Sequence, residues 1–202
     1  EFKDCFWINP LGYHFSQMKV SDLCLMNQNG ELVYGKERTG DAAQSIHSNI
    51  YKSRPDINAV AHAHPMYGKT FSTLNKELKP ITQDSCAFYK RTATFTDYDG
   101  VANGPDEGIN IAKALADKDF LILQNHGILT TGSMVETTLW YFLNMEEACK
   151  SQLLAEAVGE PIVIPDKVAI HTRDYVANDL SAFASIQPLL DVLWEKEPEF
   201  LD

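Results

Sequence analysis

The spacing of apolar and polar positions divides the chain into alternating short strands and helices. Apolar runs typical of strands occupy Cys5–Ile8, Leu23–Asn27, Glu31–Val33, Ile57–His64, Thr92–Thr96 and Phe120–Gln124. Apolar residues at helical spacing run from Ala42 to Pro55, from Pro65 to about Leu74, from Pro105 to Asp117 and from Ser133 to Gly159. This mixture predicts an α/β fold in which helices cover a sheet.

Local signals mark two boundaries. Gln28-Asn29-Gly30 predicts a hairpin turn between the second and third strands. Ser133 and Glu136 have the spacing of a capping box, which predicts that the longest helix begins at Ser133. The segment from Ile162 to Asp202 is interrupted by three prolines, and we expect its acidic end to lie on the surface as a tail.

Length and charge narrow the classes of protein and partner. The chain has 202 residues and no repeat or linker, so we expect a single domain over residues 1–202. A net charge of −11 repels nucleic acid and anionic lipid, so neither is an expected partner. No apolar run is long enough for a membrane span, and the four cysteines are scattered, which is typical of reduced thiols. We therefore expect a cytoplasmic protein.

Three histidines suggest a metal site. His62 and His64 lie in one predicted strand, where the two-residue period points both rings to the same face. His126 ends another strand and precedes Gly127, which permits a sharp turn toward the same place. Three neutral imidazoles with open positions are the ligand set of a catalytic divalent metal. A pair of packed histidines without a metal remains the alternative.

Two segments carry a resemblance to a known family. Arg54-Pro55-Asp56 followed by Asn58–Pro65, and then Leu121–Gly127, resemble segments of the class II aldolase/adducin domain family, in particular its fungal-type, adducin-like members. The likeness begins at Asn9–Gly12 and runs through the long helix to Ala155. Residues 162–202 are then a C-terminal extension, and we expect the family's domain to start upstream of Glu1.

The resemblance implies both architecture and chemistry. It implies a three-layer α/β/α sandwich with a central, mainly antiparallel sheet, assembled as a homotetramer with active sites between subunits. It also implies a divalent metal, usually zinc with manganese or iron as alternatives, on His62, His64 and His126. The implied reaction is cleavage or rearrangement of a carbon–carbon bond next to a carbonyl, through a metal-stabilised enediolate.

The chain departs from the family pattern at the substrate positions. Counting back from His47, Ala43 stands where the aldolases have their acid-base glutamate. Asp41 and Ala42 replace two serines that would bind a substrate phosphate, and Leu11 replaces a frequent Ser or Thr. An aspartate repels phosphate and a methyl group offers it no donor. We therefore expect a substrate that is not a sugar phosphate.

Several functions fit these residues. The first is a metal-dependent lyase for a small, unphosphorylated hydroxy- or keto-acid, acting by retro-aldol cleavage or by decarboxylation. The others are an iron-dependent oxygenase on the same site and a non-catalytic, adducin-like interaction module. The base could be a metal-bound hydroxide, Tyr98 or Asp99, with an ordinary loop aromatic as the alternative for Tyr98. We expect His47 to be either a packed histidine or one that supports the metal ligands from behind, and Glu146 and Glu147 to face solvent.

Overall fold

The computed structural model describes residues 3–35, 39–98, 100 and 105–202, and its contacts divide the chain into two compact units. The first unit comprises Glu1–Pro55, Gly100–Lys113 and Pro188–Asp202, and the second comprises Asp56–Asp99 and Ala114–Gln187. The expectation of a single domain over residues 1–202, with a C-terminal extension at 162–202, remains a prediction.

Strands and short helices alternate in the first two thirds of the chain. The strands are β1 Cys5–Ile8, β2 Cys24–Asn27, β3 Leu32–Tyr34, β4 Ala59–Ala63, β5 Thr92–Phe95, β6 Phe120–Leu123 and β7 Gly127–Gly132. The helices are α1 Asp41–Ser53, α2 Met66–Ser72, α3 Pro105–Leu115, α4 Val135–Val158, α5 Asp166–Val176 and α6 Asp179–Lys196. Every strand and helix predicted from periodicity is confirmed to within two residues, whereas β7, α5 and α6 were not predicted.

The first unit contains an antiparallel sheet of order β1-β2-β3. The predicted hairpin joins β2 to β3, and Gly30 adopts a φ of 90° in its turn, a conformation that favours glycine. Alternate residues of β1 and β2, including Phe6 and Met26, form a buried apolar cluster. Ala43 and Tyr51 of α1 pack against this cluster, so α1 covers the sheet through one face.

The second unit contains a four-stranded sheet of order β4-β7-β6-β5. β7 pairs antiparallel with both β4 and β6, and only β5 and β6 run parallel. Among the described strand pairs, antiparallel pairing therefore predominates, as predicted. Helices α2 and α4 pack on each other and on β7. The core between them includes Phe71, Phe88, Phe120, Ile128 and Met145, all almost fully buried.

The predicted capping box at Ser133 is wrong. The residue that precedes α4 is Met134, and its side chain makes no capping hydrogen bond. The Ser133 hydroxyl instead donates to the carboxylate of Asp179 over 2.6 Å, and Thr137 donates to its other oxygen over 2.8 Å. A carboxylate is a stronger acceptor than a hydroxyl, so Asp179 takes both donors and joins the start of α6 to the start of α4.

The C-terminal segment contains two helices that were not predicted, while its acidic end lies on the surface as expected, with no buried residue in Pro198–Leu201. Pro165 lies just before α5, where a missing N–H costs nothing, and Pro188 lies inside α6. Ala169 of α5 and both Ala182 and Ile186 of α6 are buried, so each of these helices packs against the rest of the protein through one face. Among the described residues, no helix is both long enough and apolar enough to cross a membrane.

Candidate metal centre

The three predicted ligands meet at one end of the second unit's sheet. The ring centroids are 5.2 Å apart for His62 and His64, 4.8 Å for His62 and His126, and 4.5 Å for His64 and His126. One ring nitrogen from each lies within 4.8 Å of the other two, and no other such group of three occurs among the described residues. Three ring nitrogens gathered this closely form a ligand set for a single divalent cation.

Sheet topology explains the convergence. β7 lies between β4 and β6, so the turn from β6 to β7 is adjacent to the end of β4. His126 lies in that turn, where its N–H donates to the Leu123 carbonyl over 2.9 Å. Asn125 adopts a φ of 57°, which turns the chain sharply. His62 and His64 approach from β4 with the predicted two-residue period.

Gly127 contributes by its lack of a side chain. A Cβ at this position would lie 2.5 Å from the carbonyl oxygen of Ala63 and 3.2 Å from Cδ2 of His64. The sharp turn expected at Gly127 is made by Asn125, which has the positive φ. Glycine is therefore required at 127 because the strand that carries two of the ligands passes too close for any other residue.

Hydrogen bonding and burial leave the rings in the form that binds metal. Nδ1 of His62 lies 2.9 Å from the Ile128 carbonyl oxygen, which can only accept, so Nδ1 carries a proton and the lone pair of the neutral ring is on Nε2. Partial desolvation lowers the pKa of His64, although the residue is exposed on one side, and the charge of Lys69 adds a smaller effect. Burial and the neighbouring His64 lower the pKa of His126. Neutral imidazoles with one oriented ring fit a divalent metal.

Tyr98 lies beside this cluster. Its ring centroid is 6.3 Å from that of His126, and 43% of the residue is exposed. The structure thus brings the first predicted acid-base residue next to the ligands, while its catalytic role remains a prediction. Asp99, the second such residue, lies outside the described residues.

The substrate positions singled out in the sequence lie in the first unit. Ala43 packs against its apolar cluster, Asp41 is exposed in the first turn of α1, and Leu11 is exposed. His47 packs between the rings of Phe6 and Tyr51, each 6.2 Å away by ring centroid. Its Nδ1 is buried and has no hydrogen-bond partner among the described residues, and burial lowers its pKa to about 4.

Sequence reasoning missed two groups at the centre. The first is the Ile128 carbonyl, because a main-chain acceptor leaves no mark on residue type. The second is Glu146 of α4, which was expected to face solvent. Its carboxylate accepts hydrogen bonds from the main-chain N–H groups of Tyr67 and Gly68, just after the ligand His64. Its position next to buried Met145 is the one signal that places it at the edge of the packed face.

Comparison with known proteins gives consistent matches. The model of the class II aldolase and adducin N-terminal domain matches residues 1–153. Decarboxylase NovR of Streptomyces niveus is 36% identical over 98% of this chain and 74% of its own length. The 4-hydroxy-3-prenylphenylpyruvate oxygenase/4-hydroxy-3-prenylbenzoate synthase of Streptomyces roseochromogenus subsp. oscitans is also 36% identical, over 98% of this chain and 72% of its own length.

A solved structure matches over the full chain. The L-fuculose 1-phosphate aldolase from Glaciozyma antarctica PI12 superposes with a TM-score of 0.90 at 39% identity, covering 100% of this chain and 80% of that one. This match confirms the predicted fold class, an α/β sandwich of the class II aldolase type.

Proposed function

Because the chain belongs to the class II aldolase and adducin N-terminal domain family, we propose that it is a divalent-metal-dependent lyase. Its substrate would be a small, unphosphorylated hydroxy- or oxo-acid, cleaved at a carbon–carbon bond next to the carbonyl. The convergence of His62, His64 and His126 carries the proposal. A domain kept only for protein binding has no physical need for three neutral imidazoles directed at one point.

The ligand set defines what the centre would hold. Zinc is the first expectation, with manganese or iron as alternatives. A divalent cation on these rings would act as a Lewis acid toward the substrate carbonyl and offset the negative charge that develops on its oxygen. The protein's part is to orient the rings, as the Ile128 carbonyl does for His62. His64 is exposed, which leaves this side of the centre open to a substrate.

Decarboxylation suits the residues better than retro-aldol cleavage. Retro-aldol cleavage starts with removal of a hydroxyl proton, and Ala43 replaces the glutamate that would assist it. Decarboxylation of a 3-oxo acid needs no base, since the electron pair of the broken carbon–carbon bond stays on the carbon next to the carbonyl and delocalises onto the carbonyl oxygen. That carbon then takes up a proton, which the Tyr98 hydroxyl beside His126 would supply. The similarity to Decarboxylase NovR of Streptomyces niveus supports this choice.

The substrate class follows from the phosphate positions. Asp41 presents an exposed carboxylate where the family has a phosphate-binding serine, and Ala42 and Ala43 provide methyl groups. A doubly charged phosphate would meet repulsion and no hydroxyl donor there. The name of the Glaciozyma antarctica structure indicates the contrary substrate, a sugar phosphate, so both classes belong in the assay.

A second candidate function is iron-dependent oxygenation on the same three histidines. It is favoured by the name of the Streptomyces roseochromogenus relative, which describes an oxygenase acting on a prenylated hydroxyphenylpyruvate. Non-haem iron enzymes commonly use two histidines and a carboxylate, so an all-histidine centre is less typical of this chemistry. Dependence of turnover on oxygen distinguishes the two functions.

We further propose that the protein is a cytoplasmic homotetramer, as the family resemblance implies. Light scattering of the purified protein tests the assembly, and a monomer across micromolar concentrations would contradict it.

The central experiment measures metal content and turnover together. Bound metal is determined for the wild type, for His126→Ala and for the control His171→Ala, which removes an exposed histidine of α5. One equivalent that is lost only in His126→Ala supports the enzyme, and no metal in any of the three supports the adducin-like module.

Turnover is then assayed with a panel of oxo- and hydroxy-acids and with fuculose, rhamnulose and ribulose phosphates. Metal-dependent release of carbon dioxide or an aldehyde from an acid supports the proposal. Turnover of a sugar phosphate at enzyme-like rates overturns the substrate class. Oxygen consumption that matches turnover supports the oxygenase.

A further inference from the structure

We propose that Glu146 is a positioning residue that fixes the metal ligand His64 by holding the first turn of α2. The inference rests on the proposed metal site. One oxygen of Glu146 accepts from the Tyr67 N–H over 2.8 Å, and the other accepts from the Gly68 N–H over 2.6 Å. A side chain of the long helix α4 thus accepts hydrogen bonds from the N–H groups of Tyr67 and Gly68, which lie in the first turn of α2.

Helix α2 depends on this contact because its own sequence supplies no cap. The first N–H groups of a helix have no partner within it and are usually satisfied by a Ser, Thr, Asp or Asn side chain at the N-cap. Here the N-cap is Pro65, which has no polar side chain, and α2 is only seven residues long. The carboxylate of Glu146 makes two charge-assisted bonds at the positive end of α2, which stabilise its first turn.

The orientation of His64 depends on the main chain to an unusual degree. No described residue makes a hydrogen bond to its ring, whereas the His62 ring is held by the Ile128 carbonyl. On its N-terminal side, His64 follows Ala63, the last paired residue of β4. On its C-terminal side comes Pro65, whose carbonyl accepts the first helical hydrogen bond of α2. The position of the ring is therefore set by where β4 ends and where α2 begins.

The opposite side of α2 is already fixed on the sheet. A Cβ at Gly68 would lie 2.9 Å from the side chain of Ile128, so α2 lies directly on β7. The carbonyl of the same Ile128 orients His62. With Glu146 holding Gly68 and Tyr67 from α4, the start of α2 is held on two sides. Any loosening of this turn changes the distance from His64 to the other two ligands.

The test compares Glu146→Gln with Glu147→Gln in the metal-free full chain. Glutamine keeps the shape of the side chain, but its amide group would face a main-chain N–H, so one hydrogen bond is lost and two donors oppose each other. Glu147 is the next residue of α4, is exposed, and pairs with Lys150. Cobalt(II) is titrated into each protein, and its visible absorption reports the ligand field.

We expect Glu146→Gln to bind cobalt at least about 10-fold more weakly, the range found for residues that orient metal ligands, and to shift its absorption bands. Glu147→Gln should match the wild type in both. Equal affinity and equal spectra for the two variants would overturn the inference. Where Glu146→Gln does not fold by circular dichroism, Glu146→Asp replaces it, with a shorter side chain that keeps its charge, and is judged by the same criteria.

Hydrogen exchange separates this inference from the proposed function. In metal-free protein, Glu146→Gln should speed amide exchange over residues 66–72 relative to Glu147→Gln, since the hydrogen bonds that Glu146 accepts from α2 form without a metal. A wild type that binds no cobalt contradicts the proposed function but leaves this measurement decisive. Faster local exchange then still supports the proposal that Glu146 holds the first turn of α2 after His64, and unchanged exchange refutes it.

Discussion

Replacing His47 by phenylalanine should make the stability of the protein less sensitive to acid. The imidazole has an ordinary pKa of 6.5 when the chain is unfolded, and burial between two aromatic rings lowers it to about 4 in the folded protein. Between pH 6.5 and 4, His47 therefore binds a proton in the unfolded chain but not in the folded chain. The stability present above pH 6.5 is lost as the pH falls from there toward 4.

The two pKa values fix the size of the effect. At pH 5 the unfolded state gains a factor of about 30 from protonation of His47 while the folded state gains almost nothing, which corresponds to about 2 kcal/mol. At pH 7.5 the same term is close to zero. Phenylalanine has a similar size, fits beside Phe6 and Tyr51, and does not titrate, so His47→Phe removes this term alone.

Urea unfolding followed by tryptophan fluorescence measures the difference. Free energies of unfolding are determined at pH 7.5 and pH 5.0 for the wild type and His47→Phe, both in chelator so that metal binding does not contribute. The wild type should lose about 2 kcal/mol more than the variant between the two pH values. Equal losses would show that His47 is protonated in the folded protein, and would refute the assignment of a buried neutral imidazole.

Further predictions concern the metal centre, the core and the proton donor. Gly127→Ala should weaken zinc binding at least about 10-fold, since the methyl group would lie 2.5 Å from a carbonyl oxygen of β4. Gly159→Ala, which meets nothing within 4 Å, is its control, and equal affinities would contradict the steric argument. Met145→Ala should lower the free energy of unfolding by about 2–5 kcal/mol because the side chain is fully buried. Leu154→Ala, at a 56% exposed position of the same helix, should stay within about 0.5 kcal/mol, and similar losses for both would refute the burial argument. Tyr98→Phe should lower kcat about 100-fold at unchanged zinc content, and an unchanged kcat would make Tyr98 an ordinary loop aromatic.

The spacing of apolar residues predicted the strands and helices whose buried residues are apolar. It failed for elements whose buried residues are polar or that contain a proline. Strand β7 was missed because Thr130 and Thr131 look polar in the sequence yet are almost fully buried. The Thr130 hydroxyl donates to the carbonyl of Thr138, and the Thr131 hydroxyl donates to the carbonyl of Asp119. Hydrogen bonds to the main chain allow threonine to occupy a central strand. A prediction based on the spacing of apolar residues does not detect such hydrogen bonds. Helix α6 was missed for a related reason, since Pro188 is ordinarily a helix breaker.

The clustering of the three predicted ligands could be anticipated from the sequence, whereas the groups that support them could not. The two-residue period of a strand suffices to put His62 and His64 on one face, and the strand end before Gly127, together with the family resemblance, adds His126. The group that orients His62 is a main-chain carbonyl 66 residues away, and the group that holds the turn after His64 comes from Glu146, 78 residues beyond Gly68. Contacts of such sequence separation depend on the completed fold, which one sequence does not display.

The hydrogen bond from the His62 ring on β4 to the Ile128 carbonyl on β7 would make binding of a cation depend on the pairing of these two strands. The ring proposed to bind the ion and the peptide that orients the ring belong to opposite strands of the same ladder. An ion that binds only when β4 and β7 are paired raises the free energy required to separate the strands. In turn, any substitution that weakens this pairing shortens the residence time of the ion. Heat inactivation would then begin with escape of the cofactor, while the remainder of the unit is still folded.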